Sequence, residues 1–153
     1  MALRAATEAD RPFLVEVFAA SRERELAALP EGMRETFVAQ QFHAQDTDYH
    51  RRFPDARFLV LERDGEPIGR LYVAELPDEL HVLDVALLPQ WRGQGIGTEL
   101  LTGVVVDGIE RGLATTLHVE HGNPAARRLY ERMGFAEVSR DEVYAFLRHG
   151  AVS

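Results

Sequence analysis

The 153-residue chain is long enough to bury one core and short for two, which predicts a single domain over 1–153. Hydrophobic residues at 46% and charged residues at 27% are ordinary for a folded protein, and the absence of cysteine excludes a disulfide framework, a thiolate metal site and a cysteine nucleophile. A formal net charge of −8 argues against nucleic acid as a partner, because phosphate backbones are bound by basic surfaces.

Residues 2 to 6 read as a short strand, after which Thr7 and Asp10 resemble a helix N-cap with an acidic first turn. Helical spacing follows in "RPFLVEVFAAS" and again in "EGMRETFVAQQFHAQDTDY", where Phe37, Gln41 and Phe42 fall near one face. Pro30, Glu31 and Gly32 separate these two helices, and Pro54 closes the second. Two β-rich runs flank Asp64-Gly65, a strong hairpin signal, and a third run, "ELHVLDVALL", follows a turn at Pro77-Asp78. The next helix carries Ile96, Leu100, Leu101, Val104 and Ile109 on its apolar stripe and ends at Gly112. "LATTLHVE" reads as a strand, and "NPAARRLYERM" as a helix capped by Asn123, with Pro124 at its first position and Gly134 as its stop. Two further strands flank Arg140-Asp141. No apolar run reaches the roughly 18 to 20 residues that span a bilayer, and "MALRAATEAD" lacks the regions of a secretion signal, so the cytoplasm is the expected location and no membrane partner is expected.

One stretch carries chemistry: "LLPQWRGQGIGTELL", residues 87 to 101, sets Gly93, Gly95 and Gly97 between a strand and a helix. Glycines let successive backbone N–H groups turn toward one anion, the helix dipole adds a favourable partial charge, and Arg92 leads the loop with a full one. A Walker loop needs a lysine after its last glycine, and all 17 basic residues here are arginine. A dinucleotide fingerprint needs G-x-G-x-x-G in an early βαβ unit; the spacing here is G-x-G-x-G, past residue 90 and after an antiparallel meander.

"RGQGIG", Arg92 to Gly97, resembles the R/Q-x-x-G-x-G/A signature of the GNAT superfamily of acyl-CoA-dependent N-acyltransferases. "VALLP" before the loop, "NPAARRLYERMGF" after it, and the order of elements between residues 2 and 149 are similar to the same family. The resemblance implies an α/β fold with a mixed, mostly antiparallel sheet of six or seven strands flanked by about four helices. It implies acetyl-CoA as co-substrate, with backbone groups of Val85, Ala86 and Leu87 on the pantetheine arm. The phosphates would fall to Arg92, Gly93, Gln94, Gly95, Ile96, Gly97 and Thr98, with Asn123 and Tyr130 completing the cofactor contacts.

Tyr130 matches the family tyrosine that protonates the departing thiolate. For the base, Glu79, His81 and Asp84 all qualify: His81 has the most suitable ordinary pKa, about 6.5, while Asp84 lies on the opposite face unless a bulge shifts the register. The reading is an N-acetyltransferase in which a primary amine, on a small molecule or a protein, attacks acetyl-CoA directly in a ternary complex. A non-catalytic acyl-CoA sensor is the alternative. "LHVEH", with His118, Glu120 and His121, lacks the H-E-x-x-H spacing of a metal site, and no metal is expected. Arg127 and Arg128 are candidates for the cofactor's outer phosphate or for plain solvated positions. Phe37, Gln40, Gln41, Gln45 and Tyr49 fall in a segment that resembles the family's variable acceptor-site helices, and the family leaves room for a homodimer.

Overall fold

Residues 1–150 are described by the computed structural model. Seven strands form one sheet: β1 (Ala2–Ala5), β2 (Arg57–Arg63), β3 (Glu66–Glu75), β4 (Glu79–Leu87), β5 (Ala114–Glu120), β6 (Ala136–Arg140) and β7 (Tyr144–His149), in the order β1-β2-β3-β4-β5-β7-β6. β1 pairs antiparallel with β2, and β7 antiparallel with both β5 and β6, while β4 and β5 run parallel. The helices are α1 (Arg11–Ala20), α2 (Glu23–Ala27), α3 (Glu31–Arg52), α4 (Ile96–Arg111) and α5 (Pro124–Arg132). The chain gathers into two compact units, one made of Met1–Tyr72 and Asp84–Gln94, the other of Val73–Leu83 and the chain from Gly95 onward.

In the first unit the β2–β3 turn places both Asp64 (φ 53°) and Gly65 (φ 79°) in the left-handed region, as a two-residue hairpin turn requires. Its core joins Leu14 and Phe18 of α1 to Val38 and Phe42 of α3 and Val60 of β2, with Phe18 and Phe42 edge to face at 5.8 Å. α3 therefore buries Val38 and Phe42, whereas Gln41 is exposed. The short α2 is an element the sequence pattern did not separate. α1 stops at Ser21, whose hydroxyl donates to the Phe18 carbonyl at 2.7 Å, and the chain restarts as a single helical turn and a half with no buried residue.

In the second unit α4 buries Ile96, Leu100, Leu101, Val104, Val105 and Gly108. Ile109, expected on the apolar stripe, is 61% exposed. The stripe steps from Leu101 to Val105 to Gly108, so the next residue turns about 100° away to solvent. Gly108 is small for a reason: a Cβ there would lie 2.8 Å from the Leu113 carbonyl oxygen. Beyond it Gly112 (φ 73°) ends the helix, and the Leu113 N–H donates to the Gly108 carbonyl at 2.7 Å, the closing bond of a Schellman motif. Among the described residues no helix is long and apolar enough to cross a membrane.

Candidate active site

The glycine loop has the backbone an anion cradle needs. Gly93 (φ 74°) and Gly95 (φ 81°) are left-handed, a conformation that disfavours any side chain, and Gly95 caps α4. The first helical bond runs from the Glu99 N–H to the Gly95 carbonyl at 3.0 Å. The N–H groups of Ile96, Gly97 and Thr98 are thus the ones a helix leaves without an internal acceptor. Gly97 itself is not left-handed; a Cβ at Gly93, Gly95 or Gly97 would meet open space within 4 Å. These features fit a phosphate-bearing ligand on steric and electrostatic grounds.

Arg92 is not aimed freely at the loop. Its Nε donates to the Leu87 carbonyl and a terminal nitrogen to the Ala20 carbonyl, both at 3.2 Å, which ties the loop to the end of β4 and to the last turn of α1. Gln94 turns back to the Gln90 carbonyl at 3.0 Å. On β4, Val85 and Ala86 are half-buried and Leu87 is buried; the close approach of β3 at this point depends on Gly69, since a Cβ there would stand 2.6 Å from the Ala86 oxygen. The parallel register pairs Glu79–Val82 with Ala114–Leu117, whereas β4 runs on to Leu87 and β5 to Glu120. Strict alternation of burial along β4 likewise ends after Val82, and Leu83 to Ala86 are all half-buried.

Asn123 caps α5, its side chain accepting the Ala126 N–H at 3.2 Å. Two turns on, Tyr130 is half-buried, with its ring 6.0 Å from Phe135. Arg127 is committed elsewhere, to Glu131 at 2.8 Å and to Glu137 at 3.0 Å, and Glu137 also holds Arg140. The two arginines keep the Glu137 carboxyl below its ordinary range, Arg140 more than Arg127.

The base candidates have distinct surroundings. Glu79 has one carboxylate oxygen, Oε2, that is buried without a hydrogen-bond partner. His81 places Nδ1 2.8 Å from the Thr116 hydroxyl and packs edge to face on His118 at 5.2 Å; Phe146 and Tyr144 extend this patch. Asp84 is ion-paired to a side chain the sequence pattern did not flag. Arg70 of β3 is only 2% exposed, donates from Nε to Asp84 Oδ2 at 2.5 Å and from a terminal nitrogen to Gln45 Oε1 at 2.8 Å, and lies over the Tyr72 ring at 4.6 Å. A signal was present: a lone arginine inside the apolar run "IGRLYVA" has to find a partner, because an unpaired buried charge is prohibitive. What local sequence does not say is which residue that partner is.

His121 Nε2 lies 2.8 Å from the Asp141 carbonyl, and no group of three or more His, Asp or Glu side chains among the described residues is arranged to hold a metal. A separate cavity of about 370 Å³ in the first unit is lined by, among others, Arg11, Asp46, His50, Arg57, Phe58 and Tyr72.

The crystal structure of the PaiA N-acetyltransferase from Thermoplasma acidophilum, in complex with coenzyme A, superposes with a TM-score of 0.76 over 98% of both chains at 18% identity, a likeness of fold. A mycothiol acetyltransferase of Streptomyces avermitilis is 38% identical over 97 residues, 60% of this chain and 31% of that protein. The putative [ribosomal protein bS18]-alanine N-acetyltransferase of Bacillus subtilis is 30% identical over 93 residues, 59% of this chain and 62% of its own. This chain thus spans less than a third of the mycothiol acetyltransferases it matches. The profile of the Acetyltransferase (GNAT) family matches residues 22–135, well over half the sequence, and the chain belongs to that family.

Proposed function

We propose that this protein is an N-acetyltransferase that moves an acetyl group from acetyl-CoA to a primary amine by direct attack in a ternary complex. The observation that carries the reading is the loop from Arg92 to Thr98: two left-handed glycines leading into the unpaired N–H groups of α4, in a chain of the GNAT family. In this reading Gly93, Gln94, Gly95, Ile96, Gly97 and Thr98 hold the pyrophosphate, with Arg92 beside them. Val85, Ala86 and Leu87 offer backbone groups to the pantetheine arm, as an added strand pairs with a sheet edge. Asn123 and Tyr130 complete the cofactor contacts from α5.

Acetyl-CoA supplies a thioester carbonyl to which an uncharged amine adds. The C–N bond forms, the C–S bond breaks, the sulfur leaves with the bonding pair, and the proton the amine gives up balances the one the thiolate takes. Tyr130 is the group assigned to protonate that thiolate, and the amine is received beside His81 and Asp84 on β4. With no cysteine in the chain, no thioester to the enzyme intervenes. Relatives named for alanine and for mycothiol acetylation support an amino group as the acceptor, on a protein or on a small molecule.

The test is thiol release from acetyl-CoA across a panel of amines, which is clean because the protein contributes no thiol. Transfer should fall by roughly 10²-fold or more in Tyr130→Phe, the usual scale for a lost general acid. A trapped acetyl-enzyme that passes its acetyl group to an amine would sink the direct route. Coenzyme A binding with no turnover on any amine would assign a sensor instead.

A further inference from the structure

The cavity in the first unit is a second concave site: none of its lining residues lies on β4 or in the glycine loop. Its volume of about 370 Å³ is in the range of small-molecule pockets. Small side chains leave the space open. Ala5 closes β1, Ala6 follows it and Ala56 precedes β2, and the Ala6 N–H donates to the Phe58 carbonyl at 2.8 Å, which fixes the two strand ends together. The floor is apolar, with Leu14, Phe42 and Tyr72 buried and Phe58 half-buried. Ring packing holds it in shape: His50 stacks on Phe58 at 4.0 Å, and Tyr72 meets Phe58 edge to face at 5.0 Å. His50 Nδ1, 2.8 Å from the Asp46 carbonyl, keeps its ring in that stack.

The rim is charged, and evenly so. Arg11 and Arg57 line the same cavity as Glu8 and Asp46; Asp46 is half-buried and the other three are exposed. Arg11 lies 3.7 Å from Asp46 and 5.1 Å over the Phe42 ring, so these two charges are partly spent on each other, and the larger share of ligand recognition falls to Arg57 and Glu8. Two charges of each sign select against a plain ion. A bare anion meets two carboxylates and a bare cation meets two guanidiniums, whereas a ligand carrying both signs on one small frame has each charge answered. An α-amino acid has that frame, and a large apolar side chain supplies a body for the aromatic floor to cover.

We propose that this cavity binds a free α-amino acid with a large apolar side chain, its carboxylate received by Arg57 and its ammonium by Glu8 at the rim. A protonated ammonium has no lone pair to offer a thioester, so the ligand is held there and not acetylated. The proposal therefore stands apart from the acetyltransferase reading and does not fail with it.

The experiment is calorimetric titration of the unaltered protein, without acetyl-CoA, with L-phenylalanine and three partial ligands. Hydrocinnamate lacks the ammonium, phenethylamine lacks the carboxylate, and glycine lacks the apolar body. L-phenylalanine should bind with a Kd of about 1 mM or tighter, the scale for a ligand of its size, and each partial ligand at least roughly tenfold more weakly. Arg57→Gln should weaken L-phenylalanine by about tenfold and erase most of its advantage over phenethylamine, and Glu8→Gln should erase most of its advantage over hydrocinnamate. Both side chains are exposed, so neither substitution puts the fold at stake. No binding of L-phenylalanine, equal binding of any partial ligand, or an affinity for L-phenylalanine that both substitutions leave intact would overturn the proposal.

Discussion

Two glycines of α4 allow the same substitution to be made in one helix with opposite consequences. Gly103 and Gly108 both become alanine, so the intrinsic gain from replacing a helical glycine, about 0.5–1 kcal/mol, is common to both and cancels in the comparison. At Gly103 the new Cβ meets nothing within 4 Å, and that gain stands alone. At Gly108 it would lie 2.8 Å from the Leu113 carbonyl oxygen and 3.2 Å from the Thr115 hydroxyl, against an ordinary C···O approach of roughly 3.3 Å or more. The Leu113 carbonyl is backbone and follows directly on the helix stop at Gly112, so it cannot swing aside as a side chain would. Forcing about half an ångström of movement on a packed backbone falls in the ~1–3 kcal/mol range of overpacking. The two variants should therefore differ by about 1–3 kcal/mol, or roughly 3–9 °C in Tm for a domain of this size, with Gly103→Ala the more stable. Parallel urea titrations and thermal melts read this directly. Equal stabilities, or a Gly108→Ala variant that is the more stable, would refute the packing assigned to the α4 C-terminus.

Gly69→Ala tests the approach of β3 to β4, because its Cβ would stand 2.6 Å from the Ala86 oxygen and 2.7 Å from Leu87 Cδ2. The expected loss is about 1–3 kcal/mol in urea unfolding, together with weaker binding of coenzyme A, since Ala86 and Leu87 are the backbone proposed to hold its arm. Unchanged affinity in a destabilised variant would separate the two claims. Asp10 gives a pH signature. Its hydrogen bonds from Arg4, at 2.7 and 2.8 Å, hold its carboxyl well below the usual range; burial opposes this, and the Thr7 N–H adds to the lowering. A carboxyl whose folded value is depressed contributes stability that is complete above its unfolded pKa of about 3.9 and is lost as pH falls below it. Asp10→Asn should thus lower stability at neutral pH and flatten the acid limb of Tm against pH below about pH 4. A parallel limb in the variant would assign acid unfolding to other carboxylates.

What could be read from the sequence was whatever a few neighbouring residues decide. Asp64-Gly65 specifies its turn through backbone sterics alone, Asn123-Pro124 specifies the start of a helix, and short links put β3 beside β2 and β4 and put β7 beside β6, whereas β1 beside β2 and β5 between β4 and β7 depend on long-range pairing. The glycine loop was legible for the same reason, since left-handed φ and unpaired N–H groups are local properties. Ile109 was misplaced because a periodic pattern does not say where a stripe leaves its neighbour, and Gly108, the residue that marks that point, has no side chain to register. Arg70 was missed for a different reason. Its partners stand 14 residues ahead, at Asp84, and 25 behind, at Gln45, and only the pairing of strands and the laying down of α3 bring the three together. The backbone of the loop could therefore be read from local residues, while the cluster of Arg70, Asp84 and Gln45 depends on long-range contacts.

Arg92 makes the glycine loop a shared holding rather than an idle receptor. Its guanidinium already serves the carbonyls of Leu87 and Ala20. An anion that recruits this cation must compete with two backbone acceptors, so only the difference between the two sets of bonds registers as affinity. The carbonyl released at Ala20 belongs to the last turn of α1, whose end would then loosen as the loop fills. Hydrogen exchange at the α1 C-terminus becomes a reporter of loop occupancy, and Arg92→Ala would silence the report while leaving the glycine backbone in place.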